Sequence, residues 1–331
     1  MKLQEESGTH MSVTKCRIFQ TSVIDPYRNL AAEELLLGAV QPDEIILYLW
    51  QNDNTIVIGR NQDAYQECNV DLFRADGGHL SRRLSGGGAV YHDMGNLNFT
   101  FIVKSPDYDL TKQTAVIKAA VRHFGIDAEF TGRNDLTANG KKFSGNAFYS
   151  NGKQRYHHGT ILIAGDTSKM MKYLTPSKEK LASKGVRSVE SRVINLHELS
   201  DSVTLKTMRA ALTEAIAEVY DVTPQEGSWA DIPEKIWDEK TRYYGSDEWL
   251  IGKRSRFDKE FSMRVSEGMV TLRLTIQDGV IESAKVITDC MDPDWAESET
   301  QKLTGCRFRR ADLLSAGISE EIVNHMADRP E

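Results

Sequence analysis

Apolar residues along this chain switch between two periods, and the switches mark its elements. NLAAEELLLGAV (29–40) is apolar at helical spacing, and the preceding DPYRN can turn and cap a helix. EIILYLW (44–50) and NTIVIG (54–59) are β-rich runs around a polar QND, which predicts a hairpin. GGAVYHD and NLNFTFIV (96–103) predict a second strand pair, joined at Met94-Gly95. TKQTAVIKAAVRHFG (111–125) returns to helical spacing: Val116, Ala119, Ala120 and Phe124 share a face, and Gly125 can serve as the C-cap.

Two turn signals of one kind come next, Asn139-Gly140 and Asn151-Gly152. Asn-Gly favours tight hairpin turns because both residues tolerate positive φ, so 127–164 reads as an antiparallel meander. Helical segments are predicted at 167–174, 176–184 and 204–220, and the pattern breaks up over 222–256. FDKEFSMRVSEGMVTLRLTIQDGVIESAKVITD then alternates as three strands turning at Glu267-Gly268 and Asp278-Gly279, with two helices closing the chain. The expectation is an α+β protein. A larger domain over 11–246 carries a mixed or antiparallel sheet with packed helices, and a small α+β domain occupies 247–331. Strands and helices do not alternate regularly, which argues against a Rossmann domain.

Composition changes this picture in three places. A chain of 331 residues with 40% hydrophobic residues can build about two domains and a core that needs no disulfide staples. The four cysteines (Cys16, Cys68, Cys290, Cys306) are scattered without a C-x-x-C pair. With no signal pattern and no membrane-length apolar run, they fit a reducing cytoplasm and a protein not bound to membrane. Met1 to His10, followed by Met11, reads as a vector-derived leader. The net charge is −7, yet residues 141–192 hold eleven Lys/Arg against three acids, a band of +8 on a remainder of −15. Such a band is either a solvated surface or a face for a polyanionic small ligand or acidic partner; nucleic acid would more often come with a domain basic overall.

Candidate chemistry gathers in four strings. SRRLSGGGAVYHD (81–93) sets two arginines before three glycines. It is neither a Walker loop, which needs GK[ST] and a following helix, nor G-x-G-x-x-G. It is either a plain hairpin or a glycine turn whose N–H groups approach an anion, and strand alternation lets one arginine face that anion. In GRND (132–135), Asn134 is a ligand contact or a turn residue, and Asp135 can hold Mg²⁺ through water or simply turn the chain. KKFSG (141–145) places Lys141 and Lys142 on opposite faces, so one is solvated and the other can neutralise a phosphate and a carboxylate brought together. HHGT (157–160) adds donors on a neighbouring strand. No Cys/His or Ser/His/Asp set stands out, so the chemistry suggested is activation of an acid by positioning and charge neutralisation.

DPYRNLAAEE, LYLWQNDNTIVIGRNQDAYQECN, RRLSGGGAVYHDMGNLNFTFI, GRNDL…KKFSGNAF, HHGTILI and LASKGVRSVESRVINL, in that order, resemble the lipoate–protein ligase family, and CRFRRADLL is similar to the family's accessory domain. The resemblance implies a biotin/lipoate ligase-type fold and a two-step reaction. Lipoate and Mg·ATP give lipoyl-AMP and pyrophosphate, and the acyl group then passes to a lysine on a lipoyl domain of a 2-oxoacid dehydrogenase E2 subunit or the glycine cleavage H protein. The family's K-x-S-G motif falls on Lys142, Ser144 and Gly145, with Lys142 bridging acyl carbonyl and phosphate. The resemblance puts the nucleotide against Arg83, Ser85, Gly86, Gly87, Gly88, Ala89, Val90, Tyr91 and His92, with Asn134 and Asp135 at the nucleotide and Mg²⁺ positions. It implies a lipoyl pocket walled by Arg83, Leu84, Val90, Lys142, His158, Gly159 and Thr160. The small domain is implied to swing after adenylate formation, with 222–256 as its hinge. The competing reading is an octanoyl or lipoyl acyltransferase of the same fold, whose members generally use a cysteine thioester.

Overall fold

The computed structural model describes residues 13–132, 134–174, 193–251 and 257–327. In chain order the elements are β1 (Lys15–Gln20), α1 (Pro26–Ala39), β2 (Glu44–Trp50), β3 (Thr55–Ile58), α2 (Ala64–Glu67), α3 (Val70–Ala75), β4 (His79–Arg82), β5 (Val90–His92) and β6 (Asn96–Lys104). They continue with α4 (Leu110–Arg122), β7 (Glu129–Thr131), β8 (Asp135–Ala138), β9 (Lys141–Ser150), β10 (Gln154–Leu162), α5 (Thr167–Tyr173), α6 (Leu205–Tyr220), β11 (Pro224–Glu226), α7 (Glu234–Tyr244) and α8 (Asp247–Leu250). The last are β12 (Lys259–Val265), β13 (Gly268–Gln277), β14 (Val280–Thr288), α9 (Trp295–Leu303), α10 (Arg310–Ser315) and α11 (Glu320–Ala327). The chain forms two compact units: among the described residues the first takes 13–55, 92–170 and 193–244, and the second takes 56–91, 171–174, 245–251 and 257–327.

The first unit is organised by an eight-stranded sheet in the order β11-β1-β2-β6-β10-β9-β8-β7. β1 lies parallel to both β11 and β2, and the remaining neighbours are antiparallel. One face of the sheet is filled by Leu47, Phe99, Phe101 and Ile161, and it packs on Val116, Ile117, Ala120, Met208 and Leu212 of α4 and α6. The other face receives α1. Asp25 caps that helix, accepting from the N–H groups of Tyr27 and Arg28, and Pro26 fills the position where a missing N–H costs nothing. α7 in turn covers α1: Trp237 Nε1 donates to the Arg28 carbonyl, and Tyr244 Oη and Lys240 Nζ reach Glu34.

The meander forms as its turns predict. Asn139 and Gly140 adopt φ of 51° and 73°, the pair of positive values a type I′ turn requires. At the second turn only Gly152 is left-handed. There the Asn151 side chain accepts from the N–H groups of Lys153 and Gln154 and shapes a longer loop.

The two predicted hairpins upstream do not form. β2 is held between β1 and β6, while β3 is the centre of a separate three-stranded sheet, β4-β3-β5. β5 and β6 likewise join different sheets. A polar tripeptide between two apolar runs reads the same whether the chain doubles back or crosses to another sheet, and here both edges of β2 are taken by β1 and β6. The stretch 222–251 also holds more than a broken pattern: β11, α7 and α8 lie in it.

In the second unit β12, β13 and β14 form the predicted antiparallel sheet, with Asp278-Gly279 at a type I′ turn (φ 51° and 75°). Its core joins Phe261, Val270, Leu272, Leu274 and Ile281 to Leu303, Leu313 and Ile322 of three helices, where two were expected. The predicted helix over 176–184, most of LASKGVRSVESRVINL, Arg133 and residues 1–12 fall outside the described residues. Among the described residues no helix is long and apolar enough to cross a membrane.

Candidate active site

Lys142 stands on β9 beside the β8 edge. The register between these strands slips at Leu136/Thr137: Leu136 faces Ser144 and Thr137 faces Lys142, leaving Phe143 as the extra residue. A bulge of this kind re-aims the side chains around it. Phe143 and Ser144 are fully buried, while Lys142 turns to the side shared by Asp135 and Gly145. Its ammonium lies 2.6 Å from Asp135 Oδ1, a close pairing of charges rather than an aligned hydrogen bond. Both side chains are a little over one-third exposed, while the contacting Oδ1 is itself shielded from solvent. Lys141 is exposed, in keeping with the alternation argument.

Gly145 explains why its position carries no side chain. A Cβ there would come within 3.0 Å of Lys142 Nζ and 3.1 Å of its Cε. The Gly145 N–H donates to Thr160 Oγ1 at 3.2 Å, and Ile194 N–H donates to the Lys142 carbonyl at 2.9 Å. The lysine backbone is thus tied on both sides of its strand. Gly159 also sits where a Cβ would collide, 2.6 Å from the Gly145 carbonyl and 2.7 Å from the Phe99 ring.

Asn134 is tied to Asn146: each side-chain amide donates to the other's backbone carbonyl, at 2.8 and 3.0 Å. Asn146 Oδ1 accepts in turn from His157 Nε2 at 2.8 Å. Burial, with a smaller push from His158, takes the His157 pKa down to about 3, so this imidazole is neutral and structural. His158 lies on the opposite face of β10, where its Nδ1 donates to Glu33 Oε1 at 2.7 Å. That carboxylate oxygen also accepts from Thr100 Oγ1 at 2.7 Å, and Trp50 Nε1 donates to Thr100. Sequence reasoning passed over Glu33, Thr100 and Trp50. A signal existed for Glu33: it shares the apolar stripe of α1 with Leu30 and Leu37, where a carboxylate needs a buried partner. His92, counted with the glycine string, falls in this first unit, with its Nδ1 3.3 Å from Asn52 Nδ2.

The glycine loop belongs to the second unit, and its bareness has a local cause. A Cβ on Gly86 would lie 2.1 Å from the Cys290 carbonyl, and Gly87 N–H donates to that same carbonyl at 3.0 Å. Gly87 has φ of 88° and passes beneath Met291. Gly88 has nothing near its open side. Arg83 is buried and donates to Ser85 Oγ, Val57 O, Gly86 O and Gly88 O, lacing the loop closed. Arg82 is buried as well, donating to the carbonyls of Gly59, Arg60, Gln62, Trp249 and Leu250. Alternation led to the expectation that one arginine faces an anion; in the structure both guanidinia donate to backbone carbonyls. Leu84, Ala89 and Val90 are half-buried and Tyr91 is buried against Phe73.

The Mg²⁺ implied by the resemblance finds no protein cage. No three His, Cys, Asp or Glu side chains gather as a metal-binding group among the described residues. Asp135, the expected ligand, turns its Oδ1 to the Lys142 ammonium. The residues present do not fit a metal held by the chain itself.

Comparison with known proteins gives this geometry its context. Residues 25–217, more than half of the chain, match the family "Lipoyl protein ligase A/B catalytic domain", and residues 254–324 match "Bacterial lipoate protein ligase C-terminus". The chain is 35% identical over 312 residues to "Lipoate-protein ligase A" of Psychrobacter cryohalolentis, covering 90% of this chain and 91% of that protein. Its structure resembles P. falciparum LipL1 in complex with lipoate, with a TM-score of 0.79 at 27% identity over 92% of this chain and 93% of that one. It also resembles a lipoate-protein ligase A bound with ATP, with a TM-score of 0.62 at 26% identity over 73% of this chain and 99% of that one. With matches over both its catalytic and its C-terminal residues, the chain belongs to the lipoate–protein ligase family.

Proposed function

We propose that the chain activates lipoate with ATP to lipoyl-AMP, releasing pyrophosphate, and then transfers the lipoyl group to a lysine of an acceptor lipoyl domain. The acceptor is an E2 subunit or a glycine cleavage H protein, and ATP enters as its Mg²⁺ complex. The observation that carries this reading is Lys142, a cation on a bulged strand with its backbone tied and its ammonium held at a half-exposed carboxylate. Lipoate and ATP are both anions and repel each other. An ammonium placed between acyl carboxylate and α-phosphate lowers that repulsion, and more so as charge shifts during displacement. The similar structures carry lipoate in one case and ATP in the other.

The cysteines speak against the acyltransferase alternative. Burial pushes the Cys16 and Cys68 thiols up to about 12 and raises Cys290 and Cys306 as well, so none is poised as a thiolate. The test is pyrophosphate release with each substrate omitted in turn. Release requiring both lipoate and ATP, and lost in Lys142→Ala, supports the reading. Acyl transfer from an octanoyl-carrier protein without ATP would sink it.

A further inference from the structure

We infer that Asp135 is a positioning residue for Lys142, holding its ammonium over Gly145 before the substrates arrive, and is not a magnesium ligand of the chain. The inference rests on the proposed role of Lys142 and deepens it. The Lys142 main chain is fixed by the β8 register and by Ile194, so the freedom left to this residue is in its side chain. A free lysine side chain loses up to about 2 kcal/mol of rotamer entropy when it is ordered. Three features order it here. The bulge aims it at the Asp135–Gly145 side of the strand pair. The missing Cβ of Gly145 leaves room for Nζ and Cε. The Asp135 carboxylate lies 2.6 Å from Nζ and fixes the end of the chain.

This arrangement assigns Asp135 a task that a metal ligand would not have. With the Lys142 ammonium at Oδ1, and no group of three His, Cys, Asp or Glu side chains among the described residues, the chain by itself builds no cage for Mg²⁺ around Asp135. The pair also has a built-in release. Asp135 holds one negative charge, whereas acyl carboxylate and triphosphate together bring several, so the ammonium exchanges partners as the substrates enter. No bond is made or broken in this step, and no proton moves.

The test compares wild-type protein with Asp135→Asn, Lys142→Ala and the double variant, reading lipoyl-AMP formation, Mn²⁺ binding in the presence of a non-hydrolysable ATP analogue, and the NMR signal of ¹³C-methylated Lys142. Positioning predicts that Asp135→Asn lowers kcat about ten- to hundredfold, the cost of a misplaced group, with KM for ATP unchanged or lower. It predicts that half-saturating Mg²⁺ and Mn²⁺ binding stay within twofold, and that the substitution adds nothing in the Lys142→Ala background. Asp135→Glu should recover part of the rate. The Lys142 methyl signal should shift and broaden in Asp135→Asn whatever the turnover shows, so this readout stands even if Lys142→Ala proves active and the proposed role of Lys142 falls. A tenfold loss of Mn²⁺ affinity, rescue of turnover by excess Mg²⁺, or an unmoved Lys142 signal would overturn the inference.

Discussion

The Arg28 guanidinium lies 4.2 Å from the centre of the Trp237 ring, while Trp237 Nε1 donates to the Arg28 carbonyl at 2.9 Å. One residue of α1 is thus gripped through side chain and backbone by one residue of α7. Trp237 also stacks on Trp229, which contacts Phe19 and Tyr48 edge-on. The same α1 carries Glu33, so α7 braces the helix beneath the Glu33–His158 pair. Removing the ring by Trp237→Ala should cost about 3–5 kcal/mol of stability. The exposed Arg28–Asp238 ion pair at 2.8 Å contributes much less, and Asp238→Asn should cost within about 1 kcal/mol. Chemical denaturation of both variants checks the contrast.

The glycine loop yields a paired expectation. Gly86→Ala pushes a methyl against the Cys290 carbonyl, backbone that cannot swing aside, whereas Gly88→Ala meets open space. The first should destabilise by about 2 kcal/mol or more and the second by no more than about 0.5 kcal/mol. A thermal melt in which both variants behave alike would remove the packing explanation for the bare glycines.

Acid should weaken the fold through His157. Its folded pKa is about 3 against a usual 6.5, so below pH 6.5 the unfolded chain takes up a proton that the folded chain refuses. Stability contributed by keeping this ring neutral is therefore full above pH 6.5 and is lost as pH falls toward 3. The loss is on the order of 5 kcal/mol at its limit. His157→Gln, which keeps a donor for Asn146, should flatten that part of the pH–stability curve measured by urea unfolding.

Gly145→Ala should separate activity from stability. Its Cβ would press on the far end of the Lys142 side chain, which can yield, rather than on backbone. The melting temperature should stay within about 2 °C, while adenylate formation falls about ten- to hundredfold from the misplaced ammonium. Unchanged kcat would show that Lys142 works without this seat.

Much of the fold is legible in the sequence where the signals are local. Asp25-Pro26 announces the start of α1, and Asn139-Gly140 and Asp278-Gly279 fix two turns by their backbone chemistry alone. Partner choice between strands is not local, which is why β2 and β3 read as a hairpin and lie in separate sheets. β11 is a three-residue strand, PQE, with neither length nor alternation to betray it. At the candidate site, KKFSG offered two lysines and alternation set them apart, but the slip that leaves Phe143 unpaired is a property of two strands together. The glycine string pointed to a close approach and to an anion. The close approach is real, and the group approaching is the chain's own Cys290 carbonyl.

The placement of β1 carries a consequence for how the large sheet assembles. Cys16 stands between Ile45, which is made soon after it, and Pro224, which emerges far later. The strand nearest the start of the sheet therefore waits on one side for a partner from the other end of the unit. Non-local parallel pairing of this kind carries a loop-closure penalty and forms slowly. During synthesis the β1 edge stays open until β11 arrives, and in that interval it is a template for strands of other chains. Crowded expression at high temperature should exploit that window, so yield should depend on synthesis rate more steeply than the stability of the finished sheet would suggest.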